Sequence, residues 1–225
     1  MPTMLLRLAG PMQAWGTTSR FDERDSQLEP SKSGVLGLIC AALGRDRAEP
    51  VHDLAALRMG VRVDREGLLM RDFQTATGVL IAGTGKPDHF RTVVSPRYYL
   101  ADAAFLVGLE GNDEALLDQI SQALRRPRWP LALGRKSLSP SVPVWLEHGR
   151  FPGDIASVLA SAPRIASARH EHRGQPVRWM LEHPSAGALR LDQPIAPFAE
   201  RRFGPRFVLP GVLDHVPEPA AVESC

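Results

Sequence analysis

Cysteine is nearly absent from this 225-residue chain: Cys40 lies inside an apolar run and Cys225 ends the sequence. Two thiols so placed make neither a disulfide framework nor a four-thiolate zinc site, which points to an intracellular, cytoplasmic protein without a structural metal. Long hydrophobic runs are missing as well. No stretch reaches the ~18–20 apolar residues of a membrane span, and Met1 to Gly10 lacks signal-peptide organisation, so neither spanning nor secretion is expected. Lysine is scarce, with Lys32, Lys86 and Lys136 against 24 arginines, and the only tyrosines are Tyr98 and Tyr99. Guanidinium forks suit phosphates and stacked bases, but a GC-rich genome yields the same bias, and composition does not separate the two. A formal net charge of +2 excludes a protein that coats nucleic acid with its whole surface.

What is present is the material of a folded α+β chain. Thr3 to Ala9 is a short apolar run stopped by Gly10-Pro11 and reads as a buried strand. Gln13 to Glu29 has no periodicity and reads as a long loop, a length usually associated with function or disorder. Pro30-Ser31-Lys32-Ser33-Gly34 leads into Val35 to Leu43 and then Gly44, the pattern of a helix with a Ser cap and a C′ glycine. Leu57 to Asp64 alternates apolar and basic residues as a half-buried strand does. Glu66 to Tyr99, with a turn at Gly83 to Asp88, reads as an extended β-hairpin. Ala101 to Leu109 is a further strand, and Ala115 to Leu124 an amphipathic helix ended by Pro127. A fourth strand is expected near Leu131–Leu133 or Val142–Leu146. Apart from the hairpin, the order is the split βαβ, or ferredoxin-like, arrangement. After Gly149 the composition shifts: a linker-like stretch punctuated by Pro152-Gly153 and Pro163 precedes short strands at Val177–Glu182, Ala188–Asp192 and Arg206–Leu209. The expected organisation is a domain over residues 1–149 and a small β-rich unit with a frayed tail over 150–225.

Few motifs carry chemistry. Gly83-Thr84-Gly85-Lys86 has Leu80 where a phosphate-binding loop needs its first glycine and Pro87 where it needs a hydroxyl, so it is a hairpin tip. His170-x-His172 has no further zinc spacing around it and reads as a solvated or RNA-facing loop. The helix entrance is more informative. Ser31-Lys32-Ser33-Gly34 offers free N–H groups, hydroxyls and a cation at the positive end of a helix, which describes either a phosphate site or simply a well-capped helix. The second signal is the stretch Gln119 to Leu146, which has no acidic residue but holds Arg125, Arg126, Arg128, Arg135 and Lys136 around Trp129. Basic groups interleaved with an aromatic suit a single strand and a stacked base; equally, Arg125 and Arg126 complement a helix C-terminus and Trp129 fits a core. Gly134-Arg135-Lys136-Ser137 repeats the glycine, cation and hydroxyl chemistry of the helix entrance.

Four blocks in order, Leu6 to Gly16, Pro30 to Leu38, Tyr99 to Phe105 and Leu133 to Ser137, strongly resemble the CasD family, the fifth-family CRISPR-associated (RAMP) subunits of the type I-E surveillance complex, Cascade. The resemblance covers most of the first ~150 residues, with a looser match at Phe198 to Leu209. It implies a ferredoxin-like, RRM-related domain with a hairpin thumb (about residues 66–99) and a small C-terminal domain. It further implies a subunit that caps the 5′ handle of the CRISPR RNA, touches the large and backbone subunits, and meets target DNA indirectly through guide pairing. The expectation is antiviral RNA binding without catalysis and without a cofactor.

On that reading Ser31, Lys32, Ser33 and Gly34 take handle phosphates, Arg20 and Arg24 close over the strand, and Arg135, Lys136 and Ser137 lie on the same side. Trp15, Tyr98 and Tyr99 are candidates for stacking or for the core. Replacing Lys32 or Arg135 by Ala is expected to cost roughly 1–3 kcal/mol of handle affinity. The alternative is a metal-independent endoribonuclease that processes precursor CRISPR RNA, as a relative in another subtype does with Tyr, Lys and His. It needs a base and acid such as His89 with Tyr98 or Tyr99, and the loop before the first helix holds no tyrosine.

Overall fold

The computed structural model describes residues 1–19, 23–81, 83–166 and 175–218. Its centre is an antiparallel sheet that starts from β1 (Pro2–Ala9), a strand buried on both faces because Met4, Leu6 and Leu8 point to one side and Leu5 to the other. Beside it run β6 (Ala104–Glu110), buried throughout, and β7 (Trp145–Pro152), with β3 (Arg58–Arg65) on the far side of β6. The four strands therefore stand in the order β7-β1-β6-β3.

Two helices cover one face. α1 (Lys32–Leu43) is capped by Ser31, whose hydroxyl accepts from the Gly34 N–H, and ends at Gly44 with φ 74°. That left-handed conformation suits glycine and lets its N–H close onto Ala41 and Cys40. α3 (Glu114–Arg125) is capped by Asp113 and buries Leu116, Leu117, Ile120 and Leu124 beside α1. The opposite face receives α4 (Ile155–Ser161), capped by Asp154, whose Ile155 and Leu159 meet Leu5 and Leu106. α4 lies so close that a Cβ on Gly60 or Gly108 would fall within 2.9 Å of its side chains. Arg62, fully buried, fixes its far end: the guanidinium pairs with Asp64 and donates to the carbonyls of Leu159, Ala162 and Pro163. A four-residue helix, α2 (His52–Ala55), precedes β3.

The expected hairpin consists of β4 (Leu68–Leu80) and β5 (Pro87–Ala101), joined at its base by β2 (Met12–Gln13). Its base joins the core through Tyr99 and Leu100 of β5, while Leu68, Leu69, Met70, Phe73 and Phe90 are exposed. A two-stranded ribbon has no core of its own. Beyond α4, β8 (Val177–His183), β9 (Ala188–Pro194) and β10 (Phe203–Leu213) extend the main sheet past β3 in the order β3-β8-β10-β9.

Local differences from the sequence expectation have local causes. The fourth strand is β7, not Leu131–Leu133, because Leu133 is a core plug within a loop and Gly134 takes a left-handed turn. The described parts of the long loop after the first strand also carry regular pairing. Besides β2, Trp15 bridges Gln27 and Arg24 bridges Arg97. α4 lies in the stretch expected to be linker.

Candidate nucleic-acid interface

Two of the sequence-marked segments converge. The Ala14 N–H donates to the Leu133 carbonyl at 3.1 Å, and a Cβ on Gly134 (φ 95°) would stand 1.7 Å from the Ala14 carbonyl oxygen. Only glycine permits this approach, and it docks loop 133–138 on the Ala14–Trp15 segment, whose Trp15 packs against Gly34 at the start of α1. Between the loop and α1 opens a groove of about 1030 Å³, whose lining includes Ser31, Ser33, Gly34, Arg135 and Lys136. Lys136 and Ser137 are exposed.

Arg135 holds this arrangement together. Its Nη2 donates to the carbonyls of Arg24 (2.9 Å) and Asp25 (3.2 Å), and its guanidinium lies over the Tyr99 ring, 4.6 Å from the centroid. Nη1 is buried and has no hydrogen-bond partner among the described residues. Asp25 orders the neighbouring turn by accepting from the N–H groups of Thr17 and Thr18 and from the hydroxyls of Thr18 and Ser19. Burial pushes the Asp25 carboxyl up, but these hydrogen bonds outweigh it and bring the pKa down to about 2.

Other expected contacts are placed elsewhere. Lys32 is 1% exposed and does not face the groove: Nζ sits 3.0 and 3.1 Å from the Glu182 carboxylate. Its backbone N–H donates to Asp192 Oδ2 at 2.7 Å, and Asp192 also receives Arg206 at 2.6 and 2.9 Å. The positive end of α1 is thus occupied by a carboxylate from β9, and buried Ser31 is spent on its cap. This corrects the assignment of Lys32 to a phosphate contact. Burial lowers the Lys32 pKa, opposed by the pull of Glu182.

Trp15 and Tyr99 are core residues, not stacking platforms. Trp15 is 1% exposed, donates from Nε1 to Gln13 Oε1 and packs beneath Gly34, while Tyr99 lies under Arg135. Tyr98 is half-buried in β5. Arg24 is exposed, and its backbone carries the bridge to β5. Arg20 and the His170-x-His172 pair lie outside the described residues. The groove also contains residues the sequence reading did not assign to it: Arg45, Asp46 and Arg47 after α1, and Phe198 and Phe203 from the C-terminal region. Arg45-Asp46-Arg47 directly follows the C′ glycine and was legible as a charged helix exit; the two Phe residues carried no such local signal. Among the described residues no cluster of His, Cys, Asp or Glu suits a metal ion, and no helix is long and apolar enough to cross a membrane.

A family model described as CRISPR-associated protein (Cas_Cas5) matches residues 3–209, nearly the whole described chain. The chain belongs to the Cas5 family. Relatives of this Cas5 chain include the CRISPR system Cascade subunit CasD of Escherichia coli (strain K12), 34% identical over 157 residues, or 64% of this chain and 69% of the relative. Among solved structures, one described as a crystal structure of a Cas protein is 48% identical with a TM-score of 0.78, covering 96% of this chain and 98% of that one. A chain from a structure described as a CRISPR RNA-guided surveillance complex is 31% identical with a TM-score of 0.76, covering 98% and 95%.

Proposed function

We propose that this Cas5 chain is the CasD-type subunit of a type I-E Cascade complex. It binds the 5′ handle of the CRISPR RNA, assembles with the large and backbone subunits, and takes no catalytic part. The likeness to CasD and to a chain of an RNA-guided surveillance complex supports the class. The observation that carries the site is the groove in which loop 133–138 and α1 face each other. Lys136, with Ser33 and Ser137, supplies phosphate contacts there, Arg24 and Arg135 hold the loop that flanks it, and the hairpin β4–β5 serves as the thumb.

The order β7-β1-β6-β3 with α1 and α3 on one face supports reading this part as a ferredoxin-like, RRM-related domain. We assign that domain to residues 1–149 and a β-rich C-terminal unit to 150–225. The two share one sheet, and β7 straddles their junction. Both carboxylates on α1, Glu182 and Asp192, come from the C-terminal unit, so that unit braces the helix lining the RNA groove.

The geometry does not favour the endoribonuclease. His89 and Tyr98 lie nine residues apart on one strand, a separation of about 30 Å, and the Tyr99 hydroxyl meets Gln74 at 3.3 Å. Incubating the protein with repeat RNA in chelator tests the reading: bound, intact RNA is expected. Cleavage that disappears in His89→Ala would replace this reading with the enzyme.

A further inference from the structure

Trp129 is a costly residue to leave in water, yet it is 43% exposed. The backbone holds it there. Its N–H donates to the Ala41 carbonyl at 3.1 Å and that of Arg128 to Ala42 at 2.9 Å, so the segment after α3 is pinned to the last turn of α1. The Arg128 side chain fills the space over Gly44. Trp129 and half-exposed Phe203 both line the groove. Phe198, 6.4 Å from Phe203 between ring centroids, is fixed to the turn that follows α1: its carbonyl accepts from Arg47, and the Arg47 carbonyl accepts from the Ala199 N–H.

Between the aromatics the helix leaves room, since Gly37 and Ala41 face the groove and nothing lies within 4 Å of where a Gly37 Cβ would stand. The lining cations are Arg47, Arg135 and Lys136, with Arg45 already paired to Asp53, against Asp25 and Asp46. A positive rim around an exposed indole and an empty floor suits a ligand with both a flat apolar face and an anionic linker.

We propose that this end of the groove seats one unpaired nucleobase of the bound RNA, stacked on Trp129, with its flanking phosphates toward Arg47 and Lys136. This rests on the RNA-binding reading above and adds a base subsite to it. Trp129 acts by stacking and is indifferent to base identity; the phosphate contacts are separate from it.

The full-length protein is titrated with a single-stranded oligoadenylate and with an abasic oligoribonucleotide of equal length, at several salt concentrations. Trp129→Ala is expected to weaken oligoadenylate binding about 5- to 150-fold, the range of a lost base stack. Abasic binding, the salt slope and the melting temperature should stay as in the parent, and Trp129→Phe should recover most of the affinity. Equal oligoadenylate affinity in parent and Trp129→Ala would overturn the subsite and leave the RNA reading standing. So would a loss shared by the abasic strand. Failure of the parent to bind either strand would overturn both.

Discussion

Replacing Lys32 by Met separates a structural latch from a phosphate contact. The Lys32 ammonium is almost completely buried and holds both Glu182 oxygens. Methionine fills similar space but leaves Glu182 without its closest cation. Breaking a buried pair from one side costs ~3–5 kcal/mol. Glu182 keeps the Met59 N–H at 3.2 Å and Arg206 at 3.8 Å and is partly exposed, which places the loss at the low end, about 3 kcal/mol. For a chain of this size that is a fall of roughly 6–12 °C in melting temperature. Adding Glu182→Gln removes the stranded charge and should recover a large part. RNA affinity of the folded protein, and its salt slope, should not change. The measurement is calorimetric melting beside RNA titration at several salt concentrations. An unaltered melting temperature with a salt slope flatter by ~0.7, the signature of one lost phosphate on a single strand, would refute the reasoning and return Lys32 to the RNA.

Lys136→Ala should do the reverse, weakening RNA binding by about 1–3 kcal/mol and flattening the salt slope by ~0.7 while leaving the melting curve in place; unchanged binding would remove it from the interface. The Asp25 carboxylate has its pKa held down at about 2 against an ordinary 3.8, so its stabilisation of the turn at Thr17 to Ser19 is complete above pH ~5 and is lost as pH falls through about 2. Amide exchange at Thr17 and Thr18, corrected for intrinsic rates, should show protection surviving at pH 4 and failing near pH 2; loss already at pH 4 would contradict it. Arg62→Met strands buried Asp64 and three carbonyls, and should lower stability by ~3–5 kcal/mol in denaturant titration; an unmoved midpoint would count against it.

Much of the core was legible because it is written locally. β1, α1, β3, β6 and α3 each have their own hydrophobic period and their own stop or cap, from Ser31 and Gly44 to Asp113. α4 was hidden by the Pro152-Gly153 and Pro163 that flank it, although Asp154 followed by Ile155, Val158 and Leu159 is a capped helical stripe. β10 carries Pro205 and Pro210 inside a strand paired on both sides, with a register shift at Gly204/Arg206 that accommodates the first. Segment 133–137 stood out by its glycine, cations and hydroxyl, and Gly134 is the residue that docks it on Ala14. Lys32 was misplaced for a physical reason: Glu182 lies 150 positions away and Asp192 160 positions away, and no local pattern announces a carboxylate arriving at a helix end. For Trp15 the sequence left stacking and the core open, and its burial under Gly34, a tertiary fact, places it in the core.

The central claim is that guide RNA lies in the groove between α1 and loop 133–138. The most direct measurement is a photocrosslinking map of the 5′ handle on the assembled complex, with photoreactive nucleotides at successive handle positions and the modified residues located by mass spectrometry. Crosslinks are predicted at Ser33 to Gly37, at Arg135 to Ser137 and at Trp129. Handle crosslinks confined to other surfaces of this chain, or to other subunits alone, would contradict the account.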